Sequence, residues 1–202
     1  MNSTDTSRIR RTAVSAAVLI VGALTVAGCS GGPDAAGPGS AASGTAVPTT
    51  DATTAAATND ALRAAAATAR DAVGSGTVVA VEQEQGGAAW EVLVVTADQV
   101  EHEVHTNAAG SATTGTPVTD GTDVDDRAEH QRFVDAAAID VDEAVGRLHD
   151  VVAGSVTELG LDDHAGTVVW EGDVRDAAGT KHSVRIDAGS GDVVTNVVDT
   201  DD

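Results

Sequence analysis

The sequence predicts an α+β protein made of two tandem units, each a helix packed on a small antiparallel β-meander. Two observations lead there. First, the chain repeats itself: a shift of eighty residues pairs 60–108 with 140–188 without a gap. The identities include Asp60/Asp140, Gly74/Gly154, Ser75/Ser155, Gly86/Gly166, Trp90/Trp170, Glu91/Glu171, His102/His182 and Val104/Val184. With only two Trp and one Phe in 202 residues, a paired Trp at one offset signals duplication. Second, each copy opens with helical periodicity and continues with strand alternation broken by glycine turns, the order of a helix laid on an antiparallel sheet.

The N-terminal elements are an address and a tether. MNSTDTSRIRR carries Arg8, Arg10 and Arg11, and the uncharged run TAVSAAVLIVGALTV follows. That run suits a signal-peptide core and is short for a span of ~20 residues. Val26-Ala27-Gly28-Cys29 then resembles the lipobox of bacterial lipoproteins. The resemblance implies a signal peptide over 1–28 and lipidation of Cys29, the only cysteine of the chain. Two acyl chains anchor stably where one does not. Residues 29–58, rich in Gly, Ser, Thr, Ala and Pro, read as a flexible linker with a reach of about 30 Å.

The first unit spans 59–119. Asp60 is its expected helix cap and Gly74 its stop. TVVAVEQ, AAWEVLVV and VEHEVHT are its strands, and SATTGTPVT, polar and containing Pro117, makes a poor last one. Residues 120–138 are an acidic loop, DGTDVDD, and a short helix with Phe133. The second unit spans 139–202. Asp140 and Glu143 form a capping-box pattern, with Val141, Ala144, Val145, Leu148, Val151 and Val152 on one face and Gly154 as the stop. TELGLDD, TVVWEGDV, KHSVRID and VVTNVV are its strands. Units this small are marginal alone, so the two are expected to pack on each other with the tryptophans at or near the contact.

The residues Asp142-Glu143-Ala144-Val145, then Trp170-Glu171, then Asp187-Ala188 and a Gly turn before Asp192-Val193-Val194 resemble the PepSY domain. The first unit shows the same order, except that Asn107 replaces the Asp and the turn around Gly110 is one residue shorter. The resemblance implies an extracytoplasmic, non-catalytic module of the kind proposed to restrain or tune peptidases. On that basis the chain is expected to be a membrane-anchored binding protein with a protein partner, possible targets including a secreted or envelope peptidase. Tryptophans Trp90 and Trp170 and histidines His102 and His182 are candidate partner-facing residues, beside the alternative that the tryptophans are core.

Composition excludes one class of partner. A net charge of −21 repels nucleic-acid phosphates. Apolar content of 42%, mostly Ala and Val, implies a core of small and β-branched side chains. HEVH at 102–105 is not a zincin motif, because that motif needs His at i and i+4 of a helix, and residues three apart on a strand point to opposite faces. DGTDVDD lacks the sixth-position Gly and twelfth-position Glu of a calcium loop. Asp120, Asp123, Asp125 and Asp126 remain weak metal candidates, and the alternative function is an acidic envelope protein that binds divalent cations or serves as the sensor part of a signalling system. No nucleophile–base–orienter set or phosphate loop is visible, so neither an enzyme nor a cofactor is expected.

Overall fold

The computed structural model describes residues 50–119 and 123–199, with side chains described from residue 58 onward. These residues belong to one compact unit. In chain order the elements are α1 (Thr50–Val73), β1 (Thr77–Glu84), β2 (Ala89–Val95), β3 (Glu101–Asn107), β4 (Val118–Thr119), α2 (Val124–Ala136), α3 (Val141–Val151), β5 (Gly154–His164), β6 (Thr167–Asp176), β7 (Lys181–Asp187) and β8 (Val193–Val198). The class is α+β with an antiparallel sheet. No helix among the described residues is long and apolar enough to cross a membrane.

Helix α1 is Ala-rich, which favours helix at little entropic cost. Its buried side chains, Leu62, Ala65, Ala66 and Ala69, follow the spacing of a single helical stripe. Small side chains let the helix sit close to the sheet: a methyl at Gly110 would overlap the backbone of Ala61 and Ala65. The hydroxyl of Thr68 donates to the Gly110 carbonyl at 2.7 Å. The helix ends as expected at Gly74, whose φ of +90° and N–H bond to the Arg70 carbonyl at 2.9 Å make a glycine cap. Its start differs from expectation. Asp60 is not the cap but an interior, solvent-facing residue 3.4 Å from Arg63. Residues 50–58, read as the end of a linker, are helical, because their Ala and Thr content is compatible with helix once a core-facing segment propagates it. Residues 29–49 of that linker lie outside the described residues.

Helix α3 begins at the predicted cap, where the Asp140 carboxylate accepts the Glu143 N–H at 3.0 Å. The reciprocal half of the box is missing, since Glu143 pairs instead with Arg147 at 3.1 Å. Val141, Ala144, Val145 and Leu148 are buried. Gly154 does not stop this helix. Val152 caps it in an extended conformation, and Gly154 opens β5, where a side chain would collide with the Arg175 carbonyl of β6. The two equivalent glycines therefore serve different needs, one conformational and one steric.

Helix α2 starts three residues earlier than expected and absorbs the second half of the acidic loop. Asp123 caps it, accepting the N–H groups of Asp125 at 2.8 Å and Asp126 at 3.0 Å. Asp126 returns the bond to the Asp123 N–H at 3.2 Å. Acidic side chains here also favour the positive end of the helix dipole. Phe133 is fully buried, and His130, also buried, lies 3.1 Å from Glu101 on β3.

All strands pair antiparallel in one sheet of order β4-β3-β2-β1-β5-β6-β7-β8. The two meanders meet edge to edge: β1 and β5 pair Ala80 with Gly160, Val81 with Leu159 and Glu82 with Glu158. Helices α1 and α3 both contact strands of this sheet, and α1 touches β5 as well as β1, β2 and β3. One hydrophobic cluster therefore runs through both halves, from Leu62 and Val92 to Leu148 and Val184. Asn59 fastens the join. Its amide donates to the Gly154 carbonyl at 3.1 Å and its oxygen accepts the Val156 N–H at 2.8 Å.

The poor last strand of the first unit is reduced to β4, two residues that pair with His102 and Glu103. Its counterpart β8 runs six residues. The loop before it is not shorter overall. The Asn107 N–H reaches the Ala112 carbonyl and the Asp187 N–H reaches the Asp192 carbonyl, the same span in each, and only the glycine falls one residue earlier.

Candidate functional site: an acid–imidazole cluster on the second sheet face

Strand alternation divides the sheet into a helix-covered face and a second face. Trp90, Val92, Val94, Val104 and Thr106 point to the helices and are buried. The intervening residues point the other way. At one end of that second face α2 comes over the sheet through His130 and Glu101, and its Arg132 pairs with Asp163 near the tip of the β5–β6 hairpin. At the other end of β1–β3 the register brings charged side chains together: Glu82 opposite Glu91, and Glu91 opposite His105. Glu84 and Glu103 flank them. His105 Nε2 is 2.8 Å from a Glu103 carboxylate oxygen and Nδ1 is 3.5 Å from Glu84.

The same positions eighty residues on carry a different balance of charge. There Arg185 holds Glu171 with two bonds, at 2.8 and 3.1 Å, and Ser183 donates a third at 3.2 Å. Lys181 sits 2.9 Å from Asp173 and 3.5 Å from Asp199. Burial raises Glu171, but Arg185, Asp162 and Ser183 outweigh it and hold the carboxyl below its ordinary range. In the first meander His105 stands where Arg185 does, and Glu103 stands where Ser183 does. Glu91 loses the bidentate guanidinium and gains a second carboxylate. Burial first, then repulsion from Glu103 and Glu84, pushes it up to about 7.

This has a measurable consequence. With divalent ions chelated, Glu91 keeps its proton to about pH 7 in the fold, against 4.5 ordinarily. Between those values the folded chain binds more protons than the unfolded chain. Stability therefore falls as pH rises through that window and levels off above it. Glu91→Gln is expected to add on the order of 1–2 kcal/mol at about pH 8, a figure discounted for the water that reaches this half-buried cluster. It should add little at about pH 4.5. Urea melts of both proteins at the two pH values check this; an equal gain at both would contradict it.

The residues singled out in the sequence are not brought together. Trp90 and Trp170 are each 1% exposed, so they are core residues and not partner-facing. Their indole N–H groups donate to the carbonyls of Ala108 and Ile139, each at 3.1 Å. His102 pairs opposite Val94 and His182 opposite Val174, which puts both on the helix side, half-buried, with His182 3.3 Å from Asp176. His105 lies on the other face from His102, as strand geometry requires. Asp123 and Asp126 are engaged in the helix cap, and Asp125 sits in the same first turn. Asp120, Val26, Ala27, Gly28 and Cys29 lie outside the described residues. Sequence reasoning missed Glu84, Glu91 and His105. The repeat alignment held the signal, in the pairs Glu91/Glu171 and His105/Arg185, but the strand register was needed to make them neighbours.

Comparison with known proteins bears on the second meander. Residues 138–195 match the PepSY family model, described as peptidase propeptide and YPEB domain. The match takes in α3 and β5 to β7 and reaches into β8. The matched segment lies within an α+β scaffold. No curated protein matches the chain. Among solved structures, CD1622, a provisionally assigned lipoprotein of Clostridium difficile 630, is similar at 15% identity and a TM-score of 0.42, over 64% of this chain and 87% of that one. YpmB of Bacillus subtilis is similar at 16% identity and a TM-score of 0.31, over 66% of this chain and 95% of that one.

Proposed function

We propose that the protein is a lipid-anchored, extracytoplasmic binding module that restrains or tunes a secreted or envelope peptidase. The observation that carries this reading is the PepSY match over 138–195, a family whose description includes peptidase propeptides. The repeat at eighty residues and the helix-plus-meander order of α1 and β1–β3 support a second, reduced PepSY-like unit over 59–119. The arginine-rich start, the apolar run and Val26-Ala27-Gly28-Cys29 support cleavage before Cys29 and anchoring through it. The full chain carries a net charge of −21, and the body becomes more negative still when Arg8, Arg10 and Arg11 leave with the signal peptide; anionic headgroups repel it, so in this reading lipid does the holding.

Two measurements test the reading separately. Cys29→Ala should release the protein from the membrane fraction, and a variant as membrane-bound as the parent would end the anchoring claim. Peptidases encoded beside this chain, purified and assayed with an excess of the full chain, should be slowed. Unchanged turnover together with no detectable complex would end the regulatory claim.

A further inference from the structure

We propose that Glu84, Glu91 and His105 form a binding site for a first-row divalent transition-metal cation such as Zn²⁺. The site does not depend on the peptidase reading. Each of the three residues offers one ligand atom, and these atoms lie within 4.8 Å of one another. Small side-chain rotations would bring them to metal–ligand distances of about 2.0–2.2 Å. The three come from three adjacent strands, β1, β2 and β3, so the sheet fixes their spacing. Glu84 and His105 are about a third exposed, which leaves an ion a path from solvent.

The imidazole is oriented for the task. Glu103 lies 2.8 Å from His105 Nε2. A proton held on Nε2 is donated to that carboxylate, and the lone pair of Nδ1 then faces Glu84, 3.5 Å away. A carboxylate behind the far ring nitrogen is the usual outer support of a metal-bound histidine, because it fixes the tautomer and raises ligand basicity. In the other half of the sheet the equivalent place holds a covalent cation: Arg185 stands against Glu171 at 2.8 Å. Where His105 replaces it, the covalent cation is gone and a nitrogen ligand is present. Two carboxylates and one imidazole suit Zn²⁺ or its first-row neighbours better than Ca²⁺, which takes oxygen ligands.

The test uses metal-free full chain and follows thermal unfolding and calorimetric titration with Zn²⁺ and with Ca²⁺. The expected result is binding of one Zn²⁺ per chain. At a hundredfold excess over Kd the melting temperature should rise by roughly 5–10 °C, with a clearly smaller rise in Ca²⁺. His105→Arg copies the arrangement of the second meander. It is expected to fold, to melt no lower than the metal-free parent, and to lose the Zn²⁺ response. Glu91→Gln, read by circular dichroism for folding, should weaken Zn²⁺ binding at least tenfold. A parent with no Zn²⁺ response, a response that survives His105→Arg, or a Ca²⁺ response equal to that of Zn²⁺ would overturn the site.

Discussion

Trp170→Ala is expected to destabilise the fold by about 3–5 kcal/mol, the range for deleting a large aromatic side chain from a packed core. Trp170 is 1% exposed and belongs to the central cluster. Its neighbours are mainly Ala, Val and Leu, which are too short to close the space it would leave. The indole N–H also holds the Ile139 carbonyl at 3.1 Å, immediately before the Asp140 cap of α3. Removing it leaves a buried carbonyl unpaired and loosens the start of the helix. Domains of this kind have about 5–15 kcal/mol in all, so the variant should be near its limit. Urea unfolding checks the figure, and a loss under about 1 kcal/mol would contradict this account of the core.

Asn59→Ala comes next, at about 2–4 kcal/mol. The side chain is small, but it is buried and makes two bonds to β5 backbone from a helix ninety-five residues away. Alanine leaves the Val156 N–H without its partner. The Gly154 carbonyl keeps only His149, at 3.3 Å. The adjacent Asp60→Ala, at an exposed position, should change stability by no more than about 0.5 kcal/mol. If the two variants behave alike, Asn59 is not the clasp described here.

Much of this fold is legible in the sequence because local rules govern it. The Gly74 cap, the Asp140 cap, the α3 stripe and the β5–β6 turn at Gly166 each rest on a few adjacent residues. The repeat makes each strand easier to find, since β2 and β6 are located by the same tryptophan. What escaped are the features set by pairing between distant segments. Nothing near Asn59 announces that its amide meets β5. Nothing in HEVH tells that His105 faces Glu91 while His102 faces the helices, until the register of β2 and β3 is known. Gly154 shows the same limit in another way. It aligns with a helix-capping glycine, yet it is required by the closeness of β6. The acidic loop misled for a local reason: a run of Asp serves a capping box as well as it serves a cation, and the helix that uses it begins inside the run.

The halves differ most on the second sheet face. One meander neutralises its half-buried glutamate with arginine, and the other leaves Glu91 among carboxylates and one histidine. Divergence of this kind is tolerated because the shared core, and not each half alone, carries the stability.

That shared core is the central claim, and the two tryptophans test it directly. Trp90→Phe leaves Trp170 as the sole reporter of the second half, and Trp170→Phe leaves Trp90 for the first. In each variant the fluorescence transition in urea should coincide with the loss of circular dichroism, as one cooperative step. Fluorescence midpoints that part from the circular dichroism midpoint in either variant would mean that the halves unfold separately, and that the β1–β5 join and Asn59 do not make them one structure.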